Sequence, residues 1–405
     1  MGVSRSAFKK KPKSSPKEEM KMKLRYLLTA TAAALALTLG AGPAPAQQKI
    51  TLNVITAGDQ NMVDYIKDYL GPMFEKDNPN VIVKAVGTGP GDAGSQKIAE
   101  KLFAQQDAGK DNWDVDVAVV HQKMAGEMVR KGALAKYRDQ VSTGKLVSAE
   151  DAKNSLGTNV DGYVIPMFHS QTAIAYNPAL VPNPPKNYAE LEAWVQSNPK
   201  KFGYNGIKGG MSGISFVVGW LYANTPDADK LMKGPYDASL KDTWEKPLAR
   251  LKEFNKHVVV TPGNAGTLDM LNRGEITMGP VWVDMFYTWV ADGKLAPTTK
   301  LNLIGPGMPG QPMYYVVPAK AANQDAARKF IELATGPKVQ AEGIVKKFNW
   351  YPGIDAKHLE KELDAAAWKK LFSDVTPEDL ATKGKNFPIA PYFDDILQAY
   401  EKRVL

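Results

Sequence analysis

Ile50-Thr-Leu-Asn-Val-Ile-Thr56, Val81-Ile-Val-Lys-Ala-Val86 and Val115-Asp-Val-Ala-Val-Val120 decide the fold. The first alternates β-branched and polar residues and stops at Ala57-Gly58-Asp59, so it reads as a strand. The third is nearly continuous in apolar residues, as a strand covered on both faces must be. Between them, Met62 to Phe74 carries apolar residues at helical spacing up to Asp77-Asn78-Pro79-Asn80, and a helix is expected over Ser95–Asp107. This βαβαβ order predicts a doubly wound α/β lobe with its ligand face at the C-terminal ends of the strands.

Working outward, Gly162-Tyr-Val-Ile-Pro166 and Ser170-Gln-Thr-Ala-Ile-Ala-Tyr176 read as an antiparallel pair leading into a second α/β unit. Helices are expected at 188–197, 215–222 and 244–256, with strands at 277–281 and 314–317. Helices at 324–335 and 393–402 follow. No linker separates the units, so two lobes facing each other across a cleft are expected. The first lobe takes 47–168 and the return segment 306–348. The second takes 169–305, with C-terminal helices from 349–405 packed on it.

The chain has 405 residues and no cysteine, which excludes disulfides, thiolate metal sites and a lipid-anchored cysteine. Its net charge of +8 is concentrated at one end: residues 1–25 carry +7, and the chain from Gln47 onward carries only +1. A basic nucleic-acid footprint is therefore not expected. Lys21, Lys23 and Arg25 precede an uncharged apolar run, Tyr26 to Ala41, followed by Ala44-Pro45-Ala46. A positive stretch, a short apolar stretch and small residues describe an export signal cleaved after Ala46, with residues 1–19 as an upstream extension. The run is too short and too Ala/Thr-rich for a membrane anchor. The expected location is the periplasm.

From Gln47 on, the chain resembles the family 1 extracellular solute-binding proteins, receptor components of ABC importers. Asp114 to Val120 followed by Gly132-Ala-Leu134 resembles the family's "PDvv … GlL" segment. Gly162–Pro166 running into Ala175-Tyr-Asn177 resembles its crossing that ends in "YN". Leu271-Asn-Arg-Gly-Glu-Ile-Thr-Met278 resembles "f-x-x-G-x-x-A-M", with Thr277 in place of the alanine, and Pro306 to Val316 with Ala326–Phe330 resembles the closing block. His121-Gln122-Lys123 departs from sugar receptors that carry an aromatic after the third strand. The segment from Trp194 to Phe216 differs from maltose-type receptors and looks closer to uncharacterised and polyamine- or thiamine-type branches. The resemblance implies a type II periplasmic binding fold, a monomer, a small-molecule ligand held between the lobes, and an ABC permease of the inner membrane as partner.

The candidate ligand contacts are Asp59, Gln60, His121, Gln122, His169, Ser170, Ser212, Trp282, Asp284 and Tyr351. Asp59 and Gln60 follow strand one, where helix N–H groups favour polar recognition; Asp59 also suits a plain N-cap. His121, Gln122, His169 and Ser170 fall where the fold aims side chains into the cleft. Ser212 opens a helix after Gly209-Gly210. Trp282 and Asp284 share one side of the chain if it stays extended, pairing a π-face with a carboxylate. Tyr351 lies near the expected third crossing.

No metal, cofactor or catalytic group is expected. Gly87–Gly94 lacks the lysine of a P-loop, and GxSxG, HExxH and EF-hand patterns do not occur. A small sugar or polyol is the first ligand expectation and a polyamine- or thiamine-like cation the second. A secreted carbohydrate hydrolase is the alternative from another class.

Overall fold

The computed structural model describes residues 49–405, so the expected export signal and cleavage site lie outside the described residues. The main sheet has nine strands: β1 Ile50–Thr56, β2 Val81–Gly87, β3 Val117–His121, β4 Ile165–Tyr176, β5 Met278–Trp282, β6 Lys300–Asn302, β7 Met308–Val316, β8 Tyr351–Pro352 and β9 Gly384–Lys385. β1 pairs in parallel with β2 and with β3, as the βαβαβ pattern demands. All five β3 residues are buried, which explains why its sequence lacks alternation. β7 closes this first sheet against β3, antiparallel, with Met313 opposite His121.

β4 ties the two lobes together. Its first half pairs with β7, and its second half pairs antiparallel with β5 and β6 to build the second lobe's sheet. β4 and β7 are thus adjacent crossing strands, and β8 supplies a third by pairing Tyr351 with His169.

The hairpin expected within 162–176 is instead one twelve-residue strand. Met167-Phe168-His169 contains no residue suited to a tight turn, so the chain continues straight. Pro166 is tolerated because the pairing with β7 shifts register between Met313 and Tyr314, opposite that proline. A second difference lies after β2. The helix expected from Ser95 begins at Gly91 and runs to Asp107. Gly94 permits this: a Cβ there would lie 1.9 Å from the Gly89 carbonyl oxygen.

The remaining helices cover the sheets. Tyr188–Ser197, Met211–Asn224 and Glu245–Asn255 form one layer, whose core stacks Phe216 on Phe254 at 5.8 Å and sets Trp220 at 5.1 Å from Phe254. Met211–Asn224 is buried from Met211 to Tyr222, so its sequence is apolar all round. The last helix, Ala390–Arg403, packs on Glu245–Asn255. Among the described residues, no helix is long and apolar enough to cross a membrane.

Candidate functional site

The C-terminal ends of β1 and β3 meet the second lobe at a half-open cavity of about 50 Å³. From the first lobe it is lined by Gly58, Asp59, Asn61, Met62, Gly91 and His121, and from the crossing strands by Phe168, Ser170, Gln311 and Met313. The second lobe contributes Met211, Asn264, Trp282, Asp284 and Met285.

Asp59 sits at the N-cap position of the helix Gln60–Asp64, yet its side chain makes no capping bond. Its carboxylate instead accepts from Asn264 Nδ2 at 3.2 Å, linking the two lobes. The orientation of the Asn264 amide is fixed by its surroundings: its oxygen accepts from Asn205 Nδ2 at 3.0 Å and Ser212 Oγ at 2.8 Å. The amide nitrogen is thereby left for Asp59. Ser212 is fully buried and acts through Asn264, without lining the cavity itself.

The extended chain expected through Asp284 ends at Trp282; Asp284 lies in the first turn of the helix Val283–Ala291. Both side chains still line the cavity. Asp284 Oδ1 accepts from Ser170 Oγ, and Oδ2 accepts from Trp350 Nε1 at 2.6 Å. Burial pushes the Asp284 carboxyl up to about 6, against the pull of those two donors, and the Asp59 charge adds to the rise. Burial also raises Asp59, with the Asn264 bond opposing.

His121 ends β3 with Nδ1 2.8 Å from Ser95 Oγ. The same Ser95 oxygen accepts from the His121 backbone N–H, so Ser95 holds both the ring and the backbone of His121 in place. Burial drives the His121 pKa down to about 4, so the ring is neutral. No lysine or arginine lines the cavity, which leaves the buried Asp284 and half-buried Asp59 carboxylates without a cation.

Of the ten residues singled out from sequence, Asp59, His121, Ser170, Trp282 and Asp284 share this cavity. Gln60 is exposed, donates to Asp64 at 2.8 Å and lines a separate surface recess. Gln122 is buried and turned toward Tyr314. His169 and Tyr351 line a second pocket at the crossing strands, where Ser170 and Gln311 are common to both.

Phe168, Asn264 and Gln311 were not singled out. Phe168 shares a strand face with Ser170 by the period of two, a signal hidden once a turn was placed between them. Asn264 follows Pro262-Gly263 at a helix start, which is a visible cue. Gln311 lies in a strand of otherwise apolar character and has none.

A family model for bacterial extracellular solute-binding proteins matches residues 72–370. Similar solved structures include a GABA receptor, at 21% identity and TM-score 0.64, covering 87% of this chain and 98% of that one. A spermidine/putrescine ABC transporter substrate-binding protein from Streptococcus pneumoniae has 13% identity and TM-score 0.65, with 88% and 100% covered. An ABC transporter substrate-binding protein from Bradyrhizobium japonicum has 17% identity and TM-score 0.64, with 88% and 98% covered. A sequence search of curated proteins gives no significant match. These likenesses share the two-lobed α/β fold, and the family match takes in most of the cavity lining, though β1 and Gly58, Asp59, Asn61 and Met62 precede it. The chain belongs to the bacterial extracellular solute-binding proteins, which bind solutes and do no covalent chemistry on them.

Proposed function

We propose that this protein is the periplasmic receptor of an ABC importer and that its cavity takes a small organic cation, an amine, which it presents to the inner-membrane permease. The observation that carries the ligand class is the pair of carboxylates, buried Asp284 and half-buried Asp59, in a cavity without lysine or arginine and with a neutral His121. Such a cavity repels anions and gives a neutral sugar no reason for its charge. An ammonium group relieves the repulsion between the two carboxylates, while Phe168 and Trp282 offer π-faces to it. Four methionines, Met62, Met211, Met285 and Met313, supply adaptable apolar walls for the alkyl part. The small free volume favours a short amine. The similarity to spermidine/putrescine-binding proteins supports the same class.

On this reading the receptor is a monomer whose lobes, 47–168 with 306–348 and 169–305 with 349–405, close on the ligand by differential affinity. The test is calorimetry of the purified protein against putrescine, spermidine, choline, thiamine, GABA and a panel of sugars and polyols. Saturable binding of an amine that weakens with added salt supports the proposal. Binding of a sugar alone, indifferent to salt, returns the ligand to the polyol class. Turnover of any of them removes the receptor reading.

A further inference from the structure

We infer that Trp350, at the third crossing between the lobes, is a positioning residue that holds the Asp284 carboxylate ready for the ligand. The inference rests on the amine reading above and adds a residue outside the cavity lining.

Trp350 is fully buried and its ring plane is fixed from several sides. It stacks on Phe168 at 4.3 Å and 18°, stacks on Phe348 at 5.1 Å and 24°, and meets Tyr65 edge-on at 5.6 Å. A clamped indole can aim its one N–H in a single direction, and that direction is Asp284 Oδ2 at 2.6 Å. Indole nitrogen only donates, so Oδ2 must accept. With Ser170 Oγ on Oδ1, each carboxylate oxygen carries one bond, and rotation of the group breaks both. A ligand ammonium therefore finds the carboxylate already oriented, and the charge-assisted bond from Trp350 favours its ionised form.

The arrangement also ties aromatic wall to charge. Phe168 lines the cavity and rests on the same indole that holds Asp284. Trp350 thus sets the spacing between a π-face on a crossing strand and a carboxylate of the second lobe.

Two measurements test this. In the first, the indole ¹⁵N–¹H resonance of Trp350 is followed from pH 4 to 8 in the protein without added ligand, with Asp284→Asn as control. The resonance is expected to titrate with Asp284 near pH 6 and to lose that titration in the control; a resonance insensitive to pH overturns the inference. In the second, putrescine affinity is measured from pH 5 to 8 in wild type, Trp350→Phe and Ser170→Ala. Trp350→Phe keeps an aromatic ring and removes the N–H. Its affinity is expected to fall about tenfold at pH 7, and the pH at which binding fades is expected to move upward, because Asp284 has lost a donor that lowers its pKa. Ser170→Ala is expected to move the same way. A merely structural role lowers the melting temperature without moving that pH midpoint, and this outcome overturns the inference while the amine reading stands. A wild type that binds none of the amines overturns the reading itself.

Discussion

His169 Nε2 lies 3.1 Å from Asp151 Oδ2 while its Nδ1 lies 3.0 Å from the Pro352 carbonyl oxygen. Both partners accept, so making the two bonds together calls for the protonated ring, the imidazolium, and the Asp151 charge favours that form. The residue joins three pieces of the crossing region: β4, which carries it, β8, which holds Pro352, and the short helical turn Glu150–Ala152 that holds Asp151.

Stability is therefore expected to depend on pH through this pair. Burial lowers the His169 pKa, but the Asp151 charge and bond, helped by the Pro352 carbonyl and Asp355, outweigh it and leave it above its ordinary 6.5. Burial likewise pushes Asp151 up, and His169 more than compensates, leaving it below its ordinary 3.8. The contribution of His169 is complete below pH 6.5 and is lost as pH rises through its raised pKa; that of Asp151 is complete above pH 3.8 and is lost as pH falls through its depressed pKa. His169→Gln is expected to lower the melting temperature by about 2–4 °C at pH 6 and by clearly less at pH 9. Equal losses at both pH values would refute the imidazolium assignment.

Asp284 works in the opposite sense. Its raised pKa, about 6, means that the ionised form is disfavoured in the folded protein, a cost present above pH 6 and relieved as pH falls toward its ordinary 3.8. Asp284→Asn keeps the shape and removes the charge, so it is expected to raise stability at pH 7 by about 1–3 kcal/mol while abolishing amine binding. Wild-type affinity for putrescine is expected to fall as pH drops below 6, approaching tenfold per unit for a single linked proton. Denaturant melts beside calorimetry read both effects, and a destabilised Asn variant would contradict the argument.

How far the sequence reveals this site depends on how local each cue is. β1, β2 and β3 were legible because β-branched residues cluster in each, alternating in β1 and continuous in the buried β3, and Asp59 and His121 follow from where those strands stop. Phe168 was lost because a hairpin was placed where the chain runs straight. Asn264 and Gln311 reach the cavity from segments distant in sequence, brought there by packing that no periodicity encodes. Trp350 adjoins Tyr351, which sequence reasoning placed at the third crossing, but its bond to Asp284 spans 66 positions and has no local signature.

Lys123 provides a further link between lobes. Its Nζ lies 2.5 Å from Asp394 in the C-terminal helix and 3.5 Å from Asp92 in the helix Gly91–Asp107. All three are at least partly shielded from water. Burial lowers the Lys123 pKa, but the bonds to both carboxylates raise it overall, so the charge persists well into alkali. Lys123→Ala is expected to leave Asp92 and Asp394 without their shared cation and to loosen closure. Small-angle scattering of the variant without ligand is expected to give a larger radius of gyration than wild type, with amine affinity lower by about fivefold. An unchanged radius and affinity would show that this contact plays no part in closure.

Gly210 offers a test of the Asp59–Asn264 link that leaves both residues in place. It caps the helix Met211–Asn224 at φ 134° and ψ 173°, a conformation open only to glycine. A Cβ there would lie 2.6 Å from Asn264 Oδ1 and 2.8 Å from its Cγ and Nδ2, so Gly210→Ala must push the amide aside. Displaced, Asn264 loses its bonds to Ser212 and to Asp59, and the two lobes lose a contact at the cavity wall. Backbone strain alone also destabilises, so Gly109→Ala serves as control: its φ is 65°, nothing lies within 4 Å of its Cβ position, and it is remote from the cavity lining. Both variants are expected to lose about 1 kcal/mol or more of stability, but only Gly210→Ala is expected to lose amine affinity, by tenfold or more. Matching affinities in the two variants would mean that the Asn264 amide does not need its present position for the ligand to bind.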